Sequence, residues 1–202
     1  HKRVVLQRRP RVRFGRSTRL SGRLISPGGN PLADRDIDIA ELLSAPGATW
    51  RPAGTVRTGK AGRFAFKAPA GPSRRLRFRY PGTATIRGAT AGVHLRVRAA
   101  SSMDVDRKRV VNGEAVTFTG RIRGEAVPSG GKLLQLQVFS RGSWLTFATP
   151  RTDARGRWQH DYRFTATRGV TRYRFRVRIP REAGFPYDAG TSRAVRVEVV
   201  GL

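Results

Sequence analysis

The chain has 202 residues, with 41 Lys and Arg against 13 Asp and Glu, a formal net charge of +28 and no cysteine. Neither disulfides nor thiolate metal sites can therefore hold the fold, and no apolar run of about 18 residues exists to span a membrane as a helix. A field this positive draws polyanions whatever their sequence, and arginine supplies nearly all of it: the lysines are Lys2, Lys60, Lys67, Lys108 and Lys132.

Residues 1–10 (HKRVVLQRRP) hold one apolar run, Val4-Val5-Leu6, and end at a proline. The segment reads either as an edge strand of the first domain or as a free arm. As an arm, it would add a strand to the sheet edge of a neighbouring copy, because edges accept extended chain. Val4, Val5 and Leu6 would then carry self-association into a surface filament. From Thr18 onward the period is two. Leu20 and Leu24 share one face, and Arg19, Ser21 and Arg23 the other. Leu76, Phe78 and Tyr80 alternate with Arg75, Arg77 and Arg79, while His94, Arg96 and Arg98 alternate with Leu95 and Val97. Val116, Phe118 and Ile122 repeat the first pattern; Tyr173, Phe175, Val177 and Ile179 alternate with Arg172, Arg174, Arg176 and Arg178; Val195, Val197 and Val199 close the chain around Arg196 and Glu198. This alternation predicts half-buried strands, and no stretch has helical spacing. Turn residues separate the strands at Pro27–Pro31, Asn112-Gly113, Ser129–Gly131 and Arg141-Gly142. Thr58–Gly62 and Thr152–Gly156 each suit a type I turn with a left-handed glycine, the form of a bulged hairpin.

The chain is written twice. Trp50 answers Trp144, Arg57-Thr58 answers Arg151-Thr152, Gly62-Arg63-Phe64 answers Gly156-Arg157-Trp158, and Gly22 answers Gly120. A period near one hundred residues means two whole domains. The expected division is an arm or edge strand over 1–10, one sandwich over 11–100 and a second over 101–202, joined near Ala99–Ser102. The expected class is all-β: two tandem antiparallel Ig-like sandwiches of Greek-key type with about seven strands each.

Gly22, Asn30-Pro31-Leu32 and Thr58…Gly62…Phe64 resemble the G-x-hydrophobic strand, G-x-P-L turn and later T-x-x-x-G-x-aromatic turn of carboxypeptidase-regulatory-like and related bacterial Ig-like modules. The second half keeps Gly120 and Thr152…Gly156…Trp158 but has Val127-Pro128-Ser129 in place of the G-x-P-L turn. The resemblance implies secreted or cell-surface spacer, stalk or adhesion units without catalytic residues.

Motifs for chemistry are sparse. Gly54–Ala61 approaches a phosphate-binding loop, but Ala61 cannot ligate magnesium and a strand follows instead of a helix. Asp34, Asp36 and Asp38 lack the glycine and terminal glutamate of a calcium loop, and read as an acidic stripe pairing with arginines. His160 falls in the inner register between Trp158 and Tyr162, as a core or rim residue. No nucleophile elbow or paired carboxylates stand out. The expectation is therefore no catalytic residues, no metal and no cofactor.

The arginine ladders are the candidate site: Arg75, Arg77 and Arg79 beside Arg96 and Arg98 in the first domain, and Arg172, Arg174, Arg176 and Arg178 beside Arg196 in the second. Facing like charges destabilise a strand pair unless solvent, interleaved acids or an anion screens them. Arginine forks suit phosphate and carboxylate. Exposed aromatics of the kind that bind single-stranded nucleic acid are not expected among them. Phe185 and Tyr187, around Pro186, are either a partner-binding loop tip or a cap folded over the sandwich end. The functional expectation is a non-catalytic extracellular or cell-surface structural or adhesion module, its leader outside this numbering. It would bind anionic polysaccharide, wall polymer or nucleic acid without reading sequence. The alternatives are a filament subunit and a dedicated nucleic-acid-binding protein.

Overall fold

The computed structural model describes residues 3–6, 10–124 and 126–201, and every described element is a strand. The chain forms two compact units, His1–Arg98 and Ala99–Leu202.

In the first unit the strands are β1 Arg3–Leu6, β2 Arg11–Val12, β3 Thr18–Ile25, β4 Asp36–Leu43, β5 Arg51–Arg57, β6 Arg63–Ala68, β7 Arg74–Gly82 and β8 Arg87–Val97. They make a small sheet, β1-β3-β6, and a large one, β2-β8-β7-β4-β5. Strand β1 pairs antiparallel with β3, Val4 opposite Leu24, Val5 opposite Arg23 and Leu6 opposite Gly22. Of the two readings of the N-terminal segment, its backbone thus takes the edge-strand one. The strand that filament assembly would donate is used inside the unit; residues 1, 2 and 7–9 lie outside the described residues. Leu20, Leu24 and Phe64 from the small sheet and Ile37, Ile39, Leu76, Phe78 and Leu95 from the large one are buried. The two sheets meet where Phe78 packs against Phe64 and Phe66, with ring centroids 5.7 and 6.2 Å apart. Burying one such ring contributes about 1.5–3 kcal/mol.

The second unit adds β9 Ala100–Ser101, β10 Asp104–Val105, β11 Arg109–Val111, β12 Ala115–Arg123, β13 Gln135–Ser140, β14 Ser143–Ala148, β15 Arg157–Arg163, β16 Val170–Ile179, β17 Gly190–Thr191 and β18 Val195–Val200. Its sheets are β10-β12-β15, with β9 on β12, and β11-β18-β16-β13-β14, with β17 on β16. Phe118 and Phe175 join them, 4.8 Å between centroids. Leaving aside the two-residue β9 and β17, each unit has the seven strands of an Ig-like sandwich, the first split between both sheets.

The duplicated threonine–glycine turns form as expected at the residue level: Gly62 and Gly156 adopt φ of 69° and 76°, and their N–H groups bond Gly59 and Asp153 carbonyls at 2.7 and 3.0 Å. They are not hairpins. β5 and β14 lie in the large sheets, while β6 and β15 pair with β3 and β12 in the small ones, so each turn carries the chain from one sheet to the other. Thr58 and Thr152 are buried beneath it, their hydroxyls accepting from the N–H groups of Arg35 and Lys132 at 3.0 Å each.

Candidate anion-binding faces

On the large sheet of the first unit, Arg75, Arg77 and Arg79 are exposed while Leu76, Phe78 and Tyr80 are buried, which is the period-two pattern. The neighbouring row is offset from the expected one. Arg75 faces His94, but Arg77 faces Gly92 and Arg79 faces Thr90. The turn sets this register: Thr83 N–H bonds the Ile86 carbonyl at 2.7 Å, so the hairpin closes between Gly82 and Arg87 and slides Arg96 and Arg98 past the ladder. Arg96 instead pairs with Arg11 of β2. On the other flank Asp38 faces Arg79, and Arg57 lies 3.8 Å from both Asp34 and Asp36. The acidic stripe thus screens one edge of the ladder.

Aromatic rings join the ladders from adjacent strands, contrary to the sequence expectation. The Arg77 guanidinium lies 4.5 Å from the Trp50 ring centroid. In the second unit Arg174 lies 4.4 Å from Phe139, and Arg176 lies 4.1 Å from Trp144. Trp50 and Trp144 are duplicates, so the signal was present in the repeat. What the linear pattern hides is which strand each tryptophan sits beside.

The second ladder has the expected neighbours: Arg172 faces Glu198 and Arg174 faces Arg196. Much of it is engaged internally. Arg172 bonds Glu198 at 2.8 Å, Arg176 bonds Gln137 at 2.9 Å and Arg178 bonds Gln135 at 2.5 Å. The Arg172 bond, with the Arg172 and Arg109 charges, outweighs desolvation and holds the Glu198 carboxyl below its ordinary pKa. Burial, with Arg178 nearby, lowers the Arg176 pKa. Arg174 and Arg196 remain exposed and opposed.

Two cations are internal. Arg74 shares the inner face with Leu76, is 2% exposed, and places Nε 3.0 Å from Glu41. Lys132 is 0% exposed, with Nζ 2.7 Å from Glu182. Sequence alternation gave no sign of either pair, because each partner is on a distant strand or loop.

The Phe185–Tyr187 loop is not a docking tip. The rings are 5% and 7% exposed, 5.1 Å apart, and the Lys132 ammonium lies 5.5 Å from Phe185. The Lys132–Glu182 bond ties the loop down, and the rings cap the core. His160 is half-buried with its ring 6.0 Å from Phe147. Among the described residues no group of three or more His, Asp or Glu could hold a metal, and no helix is long and apolar enough to cross a membrane.

No protein-family model matches the chain, and no curated protein matches it either. Solved structures do. Fibronectin(III)-like modules of Clostridium thermocellum CbhA align over 98% of this chain and 94% of theirs, at 13% identity and a TM-score of 0.35. The Yersinia pseudotuberculosis adhesin InvE aligns over 98% of this chain and 58% of its own, at 13% identity and 0.39. A tetra-tandem repeat from the extending region of a large adhesion protein aligns over 98% and 49%, at 10% identity and 0.40. The chain thus spans about half the length of these two adhesin chains. The fold class itself rests on the strand order and registers above.

Proposed function

We propose that the chain is a non-catalytic structural or adhesion module of the cell surface or extracellular space, held to anionic polymers by its arginine-rich sheet faces. The observation that carries this reading is the uncompensated guanidinium on the outer faces, most plainly Arg174 directly opposite Arg196 with both side chains exposed. Such an arrangement costs about 0.2–1 kcal/mol per facing pair and is relieved by a bound anion. The turn at Asn30-Pro31-Leu32, where Leu32 N–H bonds the Leu24 carbonyl at 3.1 Å, supports a carboxypeptidase-regulatory-like or related bacterial Ig-like type.

Retention of the full chain on immobilised heparin and on poly(glycerol phosphate), measured from about 50 to about 200 mM salt, tests the reading. The expected outcome is a steep loss, with a log–log slope of about −3 or beyond for four or more contacts. Retention that does not change with salt removes the electrostatic basis.

A further inference from the structure

The small sheet of the first unit carries a further cation array, made of facing like-charged pairs. Register sets Arg23 of β3 directly opposite Arg63 of β6, and Arg19 opposite Lys67. These two like-charged pairs stand roughly 13 Å apart along β3, from the rise per residue of a strand. Arg57 enters from β5, and with Gly22 and Ala65 as floor Arg19, Arg23, Arg57 and Arg63 line an open hollow of about 970 Å³, with Lys67 next to it opposite Arg19. Among the described residues, no carboxylate lies within 4.0 Å of Arg19, Arg23, Arg63 or Lys67; the acids near the hollow are Asp34 and Asp36, each 3.8 Å from Arg57.

Arg23 is also pre-set. Its Nε donates to the Ala61 carbonyl at 2.9 Å, which holds the head in place and leaves its terminal nitrogens for another acceptor. The second unit repeats the device: Arg121 faces Arg157, and Arg121 Nε donates to the Arg155 carbonyl at 3.1 Å. There the turn contains Asp153, which accepts from the Arg155 and Arg157 N–H groups at 2.9 and 2.7 Å. The matching position in the first unit is Gly59, so the first copy lacks that negative charge.

The ligand chemistry follows from the pairing. A planar carboxylate is saturated by one guanidinium fork, whereas a tetrahedral phosphate accepts from two forks approaching from different sides. Among the described residues no exposed aromatic lines the hollow, the one ring there, Phe64, being buried, so none of them stacks a base. One short row of two pairs suits successive phosphates of a single flexible chain better than the two rigid rows of a duplex. We propose that Arg19, Arg23, Arg63 and Lys67, with Arg57 at the rim, bind the phosphodiester groups of a linear extracellular polymer of the poly(glycerol phosphate) kind. This rests on the polyanion-binding reading above.

The test compares the full-length wild type with Arg23→Ala/Arg63→Ala and with the ladder variant Arg174→Ala/Arg196→Ala. The probes are poly(glycerol phosphate), polygalacturonate of matched charge and duplex DNA. The expected result is that the wild type prefers poly(glycerol phosphate). The Arg23/Arg63 variant should lose about tenfold in affinity, with a salt slope shallower by about 0.7 per cation removed, and the ladder variant should lose less. A second readout separates a site from a structural role. Relieving the facing charges should slow amide exchange in β3 and β6 without polymer and raise the first unit's unfolding midpoint by about 1–4 °C. Wild-type affinity in the Arg23/Arg63 variant, or faster exchange in it, overturns the site. Equal or tighter binding of polygalacturonate or DNA overturns the phosphodiester-polymer assignment. Absence of salt-dependent binding to all three probes by the wild type overturns the polyanion reading itself.

Discussion

The buried Lys132–Glu182 pair gives the most asymmetric mutational expectation in the chain. Lys132 is fully buried and its ammonium has Glu182 Oε2 at 2.7 Å, the same oxygen that accepts from Leu133 N–H at 3.1 Å; Arg151 donates to Oε1 at 3.3 Å. Glu182→Ala removes all three bonds and strands a charge in the core, a change that costs about 3–5 kcal/mol. Lys132→Met fills the same space with a flexible apolar chain against Phe185. It leaves Glu182, 25% exposed, with Arg151 and Leu133 as partners, so the cost should be about 1 kcal/mol. The double variant Lys132→Met/Glu182→Ala should recover most of the loss, because an absent buried pair costs less than a broken one. Urea unfolding of the full chain, followed through the buried Trp158 of the second unit, reads this. At a slope of about 1.5–2 kcal/mol per M, Glu182→Ala should move the midpoint down by about 2 M and Lys132→Met by about 0.5 M. Equal shifts for the two single variants, or a double variant no better than Glu182→Ala, would refute the reasoning.

The same carboxylate sets an acid limit. Burial pushes the Glu182 carboxyl up, but the Lys132 hydrogen bond, the Leu133 N–H and the Lys132 and Arg151 charges outweigh it, and the pKa lies below its ordinary value. A folded-state pKa below the unfolded one, about 4.3, stabilises fully above that value and is lost as pH falls through the folded pKa. Thermal unfolding of the second unit between about pH 5 and 2 should therefore steepen below about pH 4, and Glu182→Gln should flatten the curve there; an unchanged curve in that variant counts against the linkage. Gly120→Ala should cost about 1–3 kcal/mol, because its Cβ would lie 2.6 Å from Trp158 Cζ2 and also against the Ser102 carbonyl. At about 4–8 °C per kcal/mol this is measurable by calorimetry, and a wild-type midpoint would show that Trp158 and the Ser102 backbone both give way freely.

The strands were legible wherever side chains alternate. β7 and β16 announce themselves because a period of two puts Leu76, Phe78, Phe175 and Val177 inside and their arginine neighbours outside. Register was legible only where strand ends meet in step, as for Arg172 and Glu198. It failed for Arg96 and Arg98, because the Thr83–Ile86 turn, rather than the pattern, fixes what faces what. The connection after Thr58 looked like a hairpin since its five residues obey hairpin chemistry locally, yet the choice of sheet depends on β3, already waiting to pair with β6. Cross-strand neighbours are the general blind spot. Trp50 on Arg77, Lys132 beside Glu182 and Arg23 opposite Arg63 all join residues far apart in the chain, and no local period encodes them.

Counting arginines therefore overstates what each face can bind. Arg74 is consumed by Glu41 and by the Pro69 and Pro72 carbonyls, and its pKa is lowered chiefly by burial. Arg172, Arg176 and Arg178 already spend donors on Glu198, Gln137 and Gln135. A guanidinium with an internal acceptor must exchange that bond for one to a ligand, which roughly cancels the gain. A guanidinium held by a single backbone carbonyl, as in Arg23, loses nothing on binding and has already given up part of its side-chain entropy. The affinity of the whole chain for a polyanion is then weighted toward the cations that face like charge, among them Arg23 with Arg63, Arg19 with Lys67, Arg121 with Arg157 and Arg174 with Arg196, since at such pairs an arriving anion removes a repulsion as well as forming a bond.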